Sequence, residues 1–182
     1  CSMGEIKSTL DLVMEKTRHL TLSEKEQEEQ KQIEVNKRLK GLLQKYQDNL
    51  LRKEQLGQEL ESLRKTFDLN VNEMLSHILL DGLKLGSNNI SLLELLTAIC
   101  GLDVSGLEEL FHDFQNTIGI AAQKRIEEIK ANLAKKRLIS GSAVVPNLET
   151  DSEWLSTVQE IKGRFDQVLS REKDAMAAGL SS

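Results

Sequence analysis

Three histidines, His19, His77 and His112, are the only imidazoles in the chain, and each has a carboxylate about one helical turn away: Glu15, Glu73, and Glu108 or Glu109. The run Glu109-Leu110-Phe111-His112 sets a carboxylate and an imidazole on one helical face, the spacing of the Glu-x-x-His ligand pairs in carboxylate-bridged di-metal bundles. Such a centre takes a second Glu-x-x-His pair and further inward carboxylates. Neither His19 nor His77 has a glutamate three residues before it, so the set is incomplete. The ordinary account is a Glu–His pair on a solvated face, and no metal or other cofactor is expected. A bundle that binds a metal or small ligand through His112 and Glu109 is the alternative.

Other catalytic patterns are missing from the sequence. No Gly-x-x-x-x-Gly-Lys loop is present, the glycines of 81–89 do not fit a dinucleotide fingerprint, and no Gly-x-Ser-x-Gly turn occurs. Cys100 lies in the apolar run Ala98-Ile99-Cys100 with no base nearby and reads as a small buried hydrophobe. Asn89-Ile90-Ser91 matches the glycosylation triplet, and reads as a turn leading into a helix. A non-catalytic role is the expectation.

Charge narrows the partners. The formal net charge of −5 opposes non-specific attraction to nucleic acid or anionic lipid. Lys124, Arg125, Lys130, Lys135, Lys136 and Arg137 do form a basic cluster, but Glu127 and Glu128 interrupt it and no aromatic residues interleave to stack on bases. A nucleic-acid-binding coiled coil is thus a further alternative, not the expectation. No run of about 18 apolar residues occurs, so no membrane span is expected. The first four residues, Cys1-Ser2-Met3-Gly4, read as a cloning remnant before Met3; a lipidated Cys1, or myristoylation behind Met3, are the other readings.

The elements that would position these groups are helical. Helix-compatible residues dominate, the sole proline is Pro146, and six aromatics leave leucine and isoleucine to build the interior. A first amphipathic helix is expected within 3–22, where Ile6, Leu10, Val13 and Met14 share a face. Ser23 with Glu26 forms a capping-box pattern opening a long helix over 23–67. Its seam reads Val35, Leu39, Leu42, Tyr46, Leu50, Leu56, Leu60, Leu63 and Phe67, with a stutter near Leu50. Unbroken, that helix would run roughly 65 Å.

Residues 68–104 form an apolar head of two short helices, 72–80 and 90–100, stopped at Gly101. Ser105 with Glu108 repeats the box at the start of a return helix over 105–140, followed by a linker at 141–149. Thr150 with Glu153 opens a C-terminal helix over 150–176 whose seam is Trp154, Val158, Ile161, Phe165 and Val168, and 177–182 is a frayed tail.

The expected fold is all-α: an elongated helical bundle built on a long antiparallel hairpin, 23–67 against 105–140, with a small helical head. Leu79, Leu80, Leu83, Leu85, Leu92 and Leu96 are more leucines than a two-helix tip buries easily, so they are either bundle core or a contact surface. With Trp154 and Phe165 they are the candidate protein contacts. The expected role is a cytoplasmic, non-catalytic protein–protein interaction module, acting as an adaptor, chaperone-like or regulatory protein and as a homodimer. The partner is another protein of unspecified identity, with no nucleic acid, and no membrane unless Cys1 is lipidated.

Overall fold

The computed structural model describes residues 23–137 and 146–180, with side chains to Lys135 in the first stretch. The helix expected at 3–22, including His19, lies outside the described residues, as do most of the linker and the last two residues of the tail. The described residues form six helices and no strand: α1 (Glu24–Gln47), α2 (Lys53–Thr66), α3 (Val71–Gly82), α4 (Ile90–Ala98), α5 (Ser105–Arg137) and α6 (Ser152–Leu180). The all-α expectation holds. None of these helices is long and apolar enough to cross a membrane.

The chain divides into two units, one ending at Val71 and the other beginning at Asn72. In the first, the expected capping box forms: Glu26 N–H donates to Ser23 Oγ at 3.3 Å and Ser23 N–H donates to Glu26 Oε2 at 2.7 Å. The single helix expected over 23–67 does not form. It breaks after Gln47, where Asn49 adopts the left-handed conformation at φ 57°, which asparagine tolerates better than most residues. Leu50 N–H donates to Lys45 O at 2.8 Å and Asn49 N–H to Tyr46 O at 3.1 Å, the paired bonds of a Schellman C-cap. Leu50 is left 74% exposed, and Leu43 joins Val35 and Leu39 in the buried seam.

Helix α2 then restarts with Arg52 N–H donating to Gln55 Oε1 at 3.0 Å. It folds back on α1 so that the Arg38 guanidinium lies over the Phe67 ring, 5.4 Å from its centroid. Leu56, Leu60 and Leu63 are buried as the seam required. The stutter near Leu50 therefore marks a turn between two helices, not a relaxed supercoil.

In the second unit α3 and α4 carry the leucine-rich segment and α5 and α6 are the long elements. Gly101, at φ 69°, ends α4, its N–H donating to Thr97 O at 3.2 Å. The start of α5 matches the expectation, but its cap does not. Asp103 Oδ1 accepts from Ser105 N–H at 3.0 Å and from Ser105 Oγ at 2.7 Å, so an aspartate two residues upstream replaces the Ser105–Glu108 box. Those two bonds hold the Asp103 carboxyl below its ordinary range.

Helices α5 and α6 pack antiparallel. Arg125 pairs with Asp151 at one end and the Phe114 and Phe165 rings meet edge-on in the middle, 5.4 Å apart at 67°. Towards the other end, a Cβ on Gly106 would stand 3.8 Å from Glu172 Oε2. The α6 seam keeps Ile161 but continues to Leu169, which is buried, while Val168 is 42% exposed. Spacings of 4, 3, 4 and 4 average above 3.6, so the stripe stays on one side of a straight helix, where a strict heptad would demand supercoiling.

Candidate functional site

Each leucine singled out by the sequence lies in the interior. Leu79 and Leu96 are fully buried, Leu80 and Leu83 nearly so, and Leu85 and Leu92 retain only 6% and 7% exposure. Leu75, Leu95 and Leu107 are equally inaccessible, which makes the leucine-rich segment part of a packed core in this chain alone. Ser76, buried among them, satisfies its hydroxyl by donating to Asn72 O at 2.9 Å. Trp154 and Phe165 are half-buried on α6, and Phe165 spends its inner face on Phe114. Of the proposed contact residues, only these two reach the surface.

The histidine pattern does not converge. Glu109 and His112 are exposed on α5 and His77 is exposed on α3. Among the described residues no group of three or more His, Cys, Asp or Glu side chains is placed to hold a metal ion. Cys100 is half-buried rather than fully enclosed.

The basic cluster is also divided. Lys124, Lys130 and Lys135 are exposed, but Arg125 is not available to a partner. Its Nε and Nη2 donate to Asp151 Oδ1 and Oδ2, both at 2.9 Å, in a two-pronged pair. Its Nη1 reaches Glu128 at 3.3 Å and Glu153 at 2.6 Å. The side chains of Lys136 and Arg137 lie outside the described part.

Asp151 does a second job as the N-cap of α6, where Oδ1 accepts from Trp154 N–H at 2.7 Å. It takes the place expected of Thr150, since the helix begins one residue later. The Arg125 hydrogen bonds, followed by the Trp154 N–H, hold the Asp151 carboxyl below the usual carboxylate range, and Asp151 in turn raises Arg125. This junction fixes where α6 starts along α5. No local pattern announces it, because the partners are 26 residues apart.

An acid titration exposes the junction. A carboxylate whose folded pKa is depressed adds stability above its unfolded value, about 3.9, and loses it as pH falls through the folded one. The thermal midpoint should fall from about pH 5 towards pH 2, and Asp151→Asn should lower the neutral midpoint and flatten that fall. Asp103, and Glu26 held down by its Ser23 bonds, account for the slope that persists. An unchanged acid profile in the Asp151 variant would remove the junction from the account.

A second long-range polar contact ties α6 to the end of α3: Lys173 Nζ donates to the Leu83 carbonyl at 2.7 Å. Sequence periodicity could not find this contact either, since a lysine on an amphipathic helix ordinarily points to water. No protein-family model, curated protein or solved structure matches this chain.

Proposed function

We propose that the protein is a non-catalytic interaction module that recognises another protein through the surfaces of its long helices and associates with a second copy of itself. The observation that carries the reading is the α5–α6 pair, 33 and 29 residues long, whose mutual register is fixed at Arg125–Asp151 and Phe114–Phe165. Such a pair offers an extended surface that does not have to be ordered on binding, which lowers the entropic cost of association. Its outer faces alternate exposed charge with isolated apolar side chains, including Ile120, Leu155 and Val168, the mixture common at non-obligate interfaces.

Adaptor, chaperone-like and regulatory roles in the cytoplasm all use a surface of this kind. Leu83→Asp or Leu96→Asp would unfold the core and abolish association for the wrong reason, so the surface positions Leu155 and Val168 are the ones to alter. Light scattering on the intact protein should give twice the chain mass, and Leu155→Asp with Val168→Asp should return it to one with unchanged helical signal. A monomer persisting at high concentration in the unaltered protein contradicts self-association.

A further inference from the structure

In the second unit a cavity of about 360 Å³ opens between the connection that follows α3 and one side of α6. Its floor is apolar, made by the buried side chains of Leu83, Leu85 and Leu169. Its polar groups come from two elements. The connection supplies Lys84 and Ser87, and α6 supplies Lys162, Asp166, Ser170 and Lys173, spaced so that they share one helical face. Three lysines thus line the cavity beside Asp166, with the Asp81 carboxylate also acting on Lys173, in a chain whose net charge is −5.

Both walls are held before any ligand arrives. Ser87 N–H closes a turn onto Lys84 O at 3.4 Å, with Gly86 at φ 75° in its third position, the conformation a type II turn reserves for glycine. Asn89, 6% exposed, accepts from Lys84 N–H at 3.2 Å and donates through Nδ2 to Lys84 O at 2.9 Å. The backbone that carries Lys84 is therefore clamped from both sides. Lys173 is fixed by its bond to the Leu83 carbonyl, which occupies one of its three N–H groups and leaves two to point elsewhere.

We propose that this cavity binds a small phosphorylated molecule, its phosphate dianion held by Lys84, Lys162 and Lys173 with hydroxyl donation from Ser87 and Ser170. The three lysines outnumber the carboxylates of Asp166 and Asp81, so the site is net positive and favours an anion. Lysines supply point charges that can surround a tetrahedral group, whereas a planar carboxylate is better met by the arginine fork. The volume lies in the range of small-ligand pockets and exceeds what a bare phosphate fills. Asp166 then accepts a hydrogen bond from a hydroxyl or ammonium group on the rest of the molecule.

The surroundings of Lys173 agree with the geometry. Burial pushes the Lys173 amine below the ordinary lysine range, Asp81 and Asp166 offset part of that, and Lys84 adds to it. A bound dianion between the two lysines would favour the ammonium form of Lys173 and offset its repulsion with Lys84. This site is independent of self-association, and a monomeric protein would leave it intact.

Calorimetric titration of the full chain with glycerol 3-phosphate, and separately with inorganic phosphate, tests the proposal. Both should saturate at one per chain and compete. Lys84→Ala and Lys162→Ala, at exposed positions where folding is checked by circular dichroism, should each weaken glycerol 3-phosphate about tenfold, the loss of one charge-assisted hydrogen bond. Asp166→Asn should weaken glycerol 3-phosphate while strengthening inorganic phosphate. No saturation with either probe, saturation with inorganic phosphate alone, or affinity unchanged in both lysine variants would overturn it.

Discussion

Leu96→Ala should destabilise the protein by about 2–5 kcal/mol, and Leu96→Asp should abolish its cooperative unfolding transition altogether. Leu96 is fully buried, at 0% exposure, in α4, in an interior that also encloses Leu79, Leu83 and Leu95. Truncation to alanine removes the transfer energy of one methine and two methyl groups and leaves a cavity that packed neighbours fill only partly. An aspartate there has no cationic partner and must stay charged in an apolar site or protonate, a cost comparable to the whole stability of a domain this size. Chemical denaturation followed by helical signal reads both. A contact leucine on the surface would lose far less, so a change below about 1 kcal/mol in the alanine variant would return the leucine-rich segment to the surface.

Phe114→Ala should cost about 3–5 kcal/mol, the second largest effect expected. Phe114, 8% exposed on α5, meets Phe165 of α6 edge to face, and it also lies beneath the turn at Gly86, where a Cβ would stand 4.0 Å from Phe114 Cε1. One ring thus joins three pieces of the second unit. Phe165→Ala should cost less, because Phe165 is only half-buried. Their double variant should reveal a coupling of about 0.5–1.5 kcal/mol, the value of a well-oriented aromatic pair beyond simple area burial. Additive losses would mean that the two helices do not meet at these rings.

Much of the secondary structure was legible in the sequence because its signals are local. Apolar periodicity and end residues located α3, α4 and α5 to within a few residues, and the Ser23–Glu26 box formed as read. The break at Asn49 was visible only as a stutter. Periodicity records which side of a helix is apolar, and a chain that turns and resumes can keep nearly the same phase. Likewise Ser105 and Thr150 carried the expected box spacing, but Asp103 and Asp151 were available next to them and a carboxylate accepts the N-terminal amides more strongly.

What covers a stripe was not legible at all. The leucines of α3 and α4 fit either core or interface by their pattern, since hydrophobic burial has no direction or partner of its own. The polar contacts that organise the second unit had no local trace either. Arg125 looked like one member of a basic cluster, yet three carboxylates surround it. Lys173 sits on an amphipathic helix, where lysines ordinarily meet water, yet it reaches a carbonyl 90 residues away. The cavity beside it is assembled from a turn and a helix face that no sequence window contains together.

Amide hydrogen exchange followed at several protein concentrations tests most directly whether the leucine-rich helices are the interior of a single chain. The account predicts that peptides covering α3 and α4 are among the slowest to exchange and that their protection is the same on dilution. Protection of those peptides that appears only as concentration rises would show that their leucines are covered by a second molecule, contradicting the core described here.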